Sequence, residues 1–366
     1  MAPKYTLLED NNELRFRLSD INVSLANGLR RVILADIPCV VIRTEHHDKN
    51  DCTIHENTCR LHNEIVKHRL SSIPIHQTNL ELLPGNYVLE VDEENTGSNI
   101  MYVTTEQFRI KNKNNGKYLT EDETHKIFPK NGLTGQYIDF VRLRPKISDT
   151  IPGEKLHLTS EFSVGTSREN GMFSMVSKCS YEYTIDNAKV NDAWDEVEKK
   201  LVGEGVAKEE IEFQKKNFML LDRQRYYVAD SFDFVIETIG VYENKELVKK
   251  GCVVLQNKFV DMVQAIDADS VPIVLSETTV DNCYDIILEN EDYTMGKIIE
   301  YLLYNNYYMK DGRLSFCGFQ KVHPHNTESI VRVAFAERED KNDVRQLLRT
   351  VCVEAQGVYK KIFEMV

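Results

Sequence analysis

The chain has 366 residues, 42% hydrophobic and 28% charged, with only 17 Gly and 9 Pro; this fits two or three ordinary globular domains and excludes extended disorder. Its net charge of −13 repels phosphate backbones, which excludes general nucleic-acid affinity and favours protein partners. The eight cysteines show no CxxC spacing, the N-terminal MAPKYTLLED has no basic n-region and no apolar h-region, and no apolar run approaches the ~18–20 residues of a membrane span. The expectation is an intracellular, soluble protein with reduced thiols and no membrane contact.

The first legible element is an alternating strand at 14–18 (Leu14, Phe16, Leu18). An acidic turn and a helix follow, with Leu25, Leu29, Val32 and Ile33 on one stripe at i, i+4, i+7, i+8. Ser24 is its expected N-cap, since a hydroxyl there satisfies an orphan N–H, and Pro38 ends it. Next come Cys52, His55, Cys59 and His62, a C-x2-H-x3-C-x2-H set of zinc-type residues. The spacing is not that of an ordinary finger, and His46, His47, His68 and His76 make the whole stretch His-rich. We therefore expect no metal and no cofactor, and a zinc protein or metal-dependent hydrolase built on these four residues is the rival reading.

Further on, 86–91, 137–143, 155–164 and 179–185 read as strands, with Asn114-Asn115-Gly116 as a hairpin turn. Residues 191–222 read as helical through Trp194, Val197, Leu201, Ile211, Phe213 and Phe218. A strand at 232–239 leads into a helix at 244–264 with Leu247, Gly251, Leu255, Phe259, Met262 and Val263 on one face. Residues 265–279 contain Pro272, lack a helical period and read as a linker. A second strand (Ile286, Leu288) and helix follow, the helix with Thr294 as expected cap and Met295, Ile298, Ile299, Leu302 and Leu303 as its stripe. Gly296 and Gly318 suggest close backbone approach. A strand at 329–336 precedes the closing helix at 341–364, striped by Val344, Leu347, Leu348, Val351, Ala355, Val358 and Ile362.

These elements repeat. LRFRLSDINVSL (14–25) and YDIILENEDYTM (284–295) align without a gap at a shift of 270. Each copy runs strand, helix, further strands, closing helix; the first is interrupted. The expected fold is α+β: a first dimerisation domain at 1–77 plus 231–264, a mostly β insert domain at 78–230, a linker at 265–279 and a second dimerisation domain at 280–366. The long apolar stripes with charged opposite faces require burial against another layer. No GxSxG, P-loop or HExxH motif occurs, and the acidic pairs Glu93-Glu94 and Glu209-Glu210 read as solvated faces.

NVSLANGLRRVILADIPCVVI (22–42), with Asn27, Leu29, Arg30, Arg31 and Pro38, resembles the signature helix of alpha-like subunits of multi-subunit RNA polymerases: archaeal D, the third eukaryotic subunit, and the amino-terminal domain of bacterial alpha. LHNEIVKHRLSSIPI (61–75), with Glu64, His68, Arg69, Leu70, Ile73 and Pro74, resembles the second signature of the same family. ENEDYTMGKIIEYLL (289–303) and FCGFQKVHPHNTESIVRVAF (316–335), with Gly318, His323 and Pro324, resemble the small partner, archaeal L or the eleventh eukaryotic subunit. GTSRENGMFSMVSKCSYEY (165–183) resembles the family's insert-domain loop.

The resemblance implies a non-catalytic scaffold in which the two alpha-like subunits are fused, so that no separate smaller partner is needed. It implies an intramolecular dimer seam of Leu25, Leu29, Val32, Ile33, Leu255, Phe259, Met295, Ile298, Ile299, Leu302, Leu348, Val351 and Val358, closed at an effective concentration of ~mM and burying well over ~1,000 Å². Asn27, Arg30, Arg31, His68 and Arg69 are then contacts to the two large subunits, Arg being suited to bidentate bonds to carboxylates or carbonyls. Small polymerase subunits are further partners, DNA and RNA are met only through the complex, and the catalytic Mg²⁺ belongs to a large subunit. Some relatives carry a Cys-cluster metal site in the insert domain, and this chain has no Cys between 60 and 178. Fused versions are known from large DNA viruses, which implies a giant-virus polymerase acting in the host nucleus or a cytoplasmic viral factory and packaged in virions. A transcription-unrelated oligomeric adaptor is the second rival.

Overall fold

The computed structural model describes residues 2–148 and 150–366. In chain order the elements are β1 (Lys4–Asp10), β2 (Leu14–Ser19), α1 (Val23–Ala35), β3 (Cys39–Val41), β4 (Cys52–Asn57), α2 (Asn63–Ser71), β5 (Tyr87–Glu94), β6 (Met101–Thr104), β7 (Arg109–Asn112), α3 (Glu121–Ile127), β8 (Asp139–Leu143), β9 (Lys155–Glu161), β10 (Ser163–Gly165) and β11 (Val176–Ile185). They continue as α4 (Asn187–Gly203), α5 (Lys208–Leu220), β12 (Tyr227–Thr238), α6 (Asn244–Asp267), β13 (Ile273–Leu275), β14 (Cys283–Glu289), α7 (Tyr293–Leu303), β15 (Leu314–Gln320), β16 (Glu328–Phe335) and α8 (Lys341–Met365). The fold is α+β, as expected.

The chain forms two compact units. The first holds the residues up to Ile33, Lys178–Glu237 and Asn244–Val366; the second holds Leu34–Ser177 and Thr238–Glu243.

In the first unit two four-stranded sheets have the orders β1-β2-β12-β11 and β13-β14-β16-β15. Both follow one plan: the last strand of each set lies between the second and the third. In both, a helix follows the second strand (α1, α7) and a long helix follows the last (α6, α8). Alternation sets the inner faces, because side chains two apart share a face. Leu14, Phe16 and Leu18 stand opposite Ile236, Phe234 and Phe232, all six inaccessible to solvent, and Phe16 stacks on Phe234 at 5.0 Å. Ile286 stands opposite Val331 in the second sheet. A small satellite core of Val190, Trp194, Ile211 and Phe218 joins α4 to α5.

The second unit is built on a four-stranded sheet, β4-β9-β5-β7, and the pairs β10-β3 and β6-β8. Its core includes Val66, Leu70, Leu89, Val91, Phe108, Phe140 and Leu158, with Phe108 edge-on to Phe128 and Phe140. The hairpin turn lies where Asn114-Asn115-Gly116 places it: Gly116 has φ +68° and its N–H bonds the Asn112 carbonyl at 2.9 Å.

Two expectations need correction. The boundaries at 77/78 and 230/231 are not those of the compact units, because 34–77 groups with the second unit and β11, read as insert, pairs with β12 in the first. An alternating strand records its two faces but not its neighbour. The expected linker 265–279 contains the last turn of α6 and the edge strand β13, paired to β14 from Ile273 opposite Ile286. Phe213 lies in α5, within the stretch read as helical, and is 57% exposed. Strand β1, which sequence reading missed, is exposed along most of its length, so it carries no apolar alternation to read.

Candidate functional site

The conspicuous site of the first unit is the seam where α1, α6, α7 and α8 meet. Capping sets the start of α1 and α7. The Asn22 side-chain oxygen accepts the Ser24 N–H at 2.9 Å, and the Asp292 carboxylate accepts the Thr294 N–H at 2.8 Å. The caps are therefore Asn22 and Asp292, two residues before the expected Ser24 and Thr294. All four belong to residue types that cap well, so residue type alone does not choose between them.

The displaced cap position leaves the Thr294 hydroxyl available, and it accepts from Arg31 Nε at 2.9 Å. Arg31 Nη2 donates to the Asp292 carboxylate, also at 2.9 Å. One carboxylate thus caps α7 and holds the Arg31 guanidinium of α1, with negative charge placed favourably at a helix N-terminus. Arg31 was expected to face a large subunit. Two of its guanidinium nitrogens are instead committed inside this chain.

Gly28 makes the helix approach possible. A Cβ built there would lie 2.7 Å from Ile298 Cδ1 and 3.0 Å from the Tyr359 hydroxyl. That hydroxyl donates to the Leu25 carbonyl at 2.9 Å; Tyr359 is fully buried, and burial holds its pKa well above the usual tyrosine value. Phe259 of α6 stacks on Tyr359 of α8 with centroids 6.3 Å apart. Gly251 of α6 likewise admits Ile33, whose Cγ1 would stand 2.8 Å from a Cβ. Every apolar residue assigned to the seam is 0–2% exposed: Leu25, Leu29, Val32, Ile33, Leu255, Phe259, Met295, Ile298, Ile299, Leu302, Leu348, Val351 and Val358. Gly28 and Tyr359 were missed, although Gly28 inside an apolar helix was the readable sign of a close approach. Gly296 and Gly318 abut the rings of Phe319 and Phe316.

Asn27 is half-buried and accepts from Arg30 Nε at 3.0 Å. It lines an open cleft of about 590 Å³ bordered also by Glu300, Tyr301, Tyr304 and Cys317. In the second unit, His68 is exposed on α2. Arg69 donates from Nε and Nη2 to the carbonyls of Phe140 and Asp139 at 2.6 and 2.7 Å. It therefore ties α2 to β8.

The Cys/His set does not converge. Cys52 is inaccessible within the core, and burial pushes its thiol up to about 11. His55 pairs with Thr159 at 2.8 Å and packs on the His157 ring. The Cys59 thiol, also raised by burial, donates to the Leu61 carbonyl. Thiolates are the metal ligands and nucleophiles, and burial disfavours that form at both thiols. Among the described residues no group of three or more His, Cys, Asp or Glu is placed to hold a metal ion.

A helical seam of buried apolar residues thus joins two sheets that share one strand order. The chain belongs to the RNA polymerase Rpb3/Rpb11 dimerisation domain family, whose model matches residues 15–259. It is 23% identical to the human DNA-directed RNA polymerases I and III subunit RPAC1 over 309 residues, covering 71% of this chain and 84% of that protein. A conjugation stage-specific protein of Tetrahymena thermophila is 23% identical over 301 residues (70% and 92%). The RNA polymerase subunit Rpo3 of Methanosphaera stadtmanae is 26% identical over 196 residues (52% and 66%). The chain is thus of the alpha-like polymerase-subunit family, and two of these relatives are themselves named as subunits of DNA-directed RNA polymerases.

Proposed function

We propose that this chain is a fused alpha-like scaffold: its two halves act as a pseudo-symmetric dimer on which the two large catalytic subunits assemble. The observation that carries this reading is the seam itself, in which Arg31 and Leu25 of the first copy bond Asp292, Thr294 and Tyr359 of the second. The shared sheet order supports kinship of residues 280–366 with the small alpha-like partner. Asn27, Arg30 and His68 are the remaining contacts to the large subunits: Arg31 and Arg69 each commit two guanidinium nitrogens across the fold, whereas Arg30 bonds Asn27 through Nε, one turn away on the same helix. Asn27 on an open cleft supports this, because an interface requires reachable donors and acceptors. The single-chain arrangement supports a giant-virus-type enzyme working in the host nucleus or a cytoplasmic factory.

Co-expression with the two large subunits, followed by affinity purification, tests the reading. The wild-type chain is expected to recover both. An Asn27→Ala/Arg30→Ala variant should unfold at the wild-type midpoint and recover about tenfold less of a large subunit, equivalent to about 1.4 kcal/mol. A wild-type chain that recovers neither large subunit overturns the proposal.

A further inference from the structure

The second unit carries a basic pocket on an acidic chain. Four arginines, Arg60, Arg69, Arg142 and Arg144, border a concavity of about 480 Å³. Its apolar lining includes Leu61, Phe140 and Ile100, and Ile100 is 54% exposed. Among the described residues, the carboxylates paired with these arginines are Asp139, 3.8 Å from Arg142, and Glu154, 2.6 Å from Arg144. Four guanidiniums against two carboxylates leave an excess of positive charge, in a protein whose net charge is −13. Arg60 has no hydrogen bond or ion pair among the described residues. Arg142 lies over the ring of Tyr102, 4.9 Å from its centroid, and Tyr102 is itself 51% exposed.

We infer that this pocket binds an acidic peptide segment carrying an apolar side chain, presented by a partner protein. The arginines supply forked donors matched to carboxylates, and the apolar floor takes the side chain between them. Exposed aliphatic and aromatic surface framed by arginine is the composition of a protein interface core. Nucleic acid fits less well. Single strands need a continuous basic track beside their stacking platforms, and four arginines around one concavity, two of them facing carboxylates, do not form one. Arg69 is the positioning residue: its bonds to the Phe140 and Asp139 carbonyls hold one wall of the pocket. This inference concerns the second unit and does not rest on the polymerase-scaffold reading.

Fluorescence anisotropy of the full chain with a labelled peptide alternating glutamate and leucine tests it. A glutamate–serine peptide and a thymidine oligonucleotide of equal charge serve as comparisons. The glutamate–leucine peptide is expected to bind more tightly than both and to weaken with salt. Arg60→Glu, Arg142→Glu and Ile100→Ser are surface changes expected to keep the wild-type unfolding midpoint and to weaken binding at least about tenfold each; Arg60→Lys should retain most of it. Absent binding by the wild-type chain, equal binding by the serine peptide, or binding indifferent to all three substitutions overturns the inference. Tighter binding of the oligonucleotide also overturns it, and makes the pocket a nucleic-acid site.

Discussion

Two glycines on helices of the same unit carry opposite expectations. At Gly28 a side chain meets Ile298 and Tyr359 at 2.7 and 3.0 Å. Gly28→Val should therefore destabilise by about 1–3 kcal/mol through overpacking, more than the few tenths gained in helix propensity. At Gly357 of α8 nothing lies within 4 Å of an added Cβ, so Gly357→Ala should stabilise by about 0.5–1 kcal/mol. Urea midpoints of the two variants moving in opposite directions is the check; a shared direction contradicts the packing described. Tyr359→Phe removes a buried hydrogen bond to the Leu25 carbonyl and should cost about 1 kcal/mol.

Among the elements, the helices α6 and α8 and the paired strands β14 and β16 invite separate tests. Phe259 is fully buried and stacked on Tyr359, so Phe259→Ala leaves a cavity and should cost about 3–5 kcal/mol by chemical denaturation. In the sheet, Asp285 stands directly opposite Arg332, with bonds of 2.7 and 2.8 Å. The Arg332 hydrogen bonds, opposed by burial and aided by Ser276, hold the Asp285 carboxyl below its usual range. A folded pKa depressed in this way contributes stability that is present above the unfolded value of about 3.9 and is lost as pH falls through the lower folded value. Below pH ~4 the wild-type midpoint should therefore fall more steeply than that of Asp285→Asn. Parallel pH profiles for the two proteins would contradict this.

For the whole molecule, the seam predicts that neither half is content alone. The connection at Asp269 and Ser270 lies between α6 and β13, and both residues are exposed. A chain ending at Asp269 leaves the apolar faces of α1 and α6 in water and should aggregate. Co-expression with residues 270–366 should restore a soluble, stoichiometric pair. A monomeric, soluble fragment with wild-type-like unfolding would show that the seam is dispensable.

Much of this architecture was legible in the residues. Apolar periodicity marked β2, α1, α6, β14, α7, β16 and α8, because burying one face leaves a 2- or 3.6-residue signature. The repeat at a shift of 270 was legible too, and the thirteen apolar seam residues that the family resemblance implied are all buried. What periodicity does not encode is the partner. That β11 joins β12, that residues 34–77 group with the second unit, and that 273–275 form an edge strand were decided by pairing in three dimensions. The same holds for side chains. The sequence marks Arg31 and Arg69 as polar and reachable. Only the fold brings them within hydrogen-bond distance of Thr294, Asp292 and the Phe140 carbonyl, because such bonds join residues 71 to 263 positions apart, a separation that local pattern leaves open.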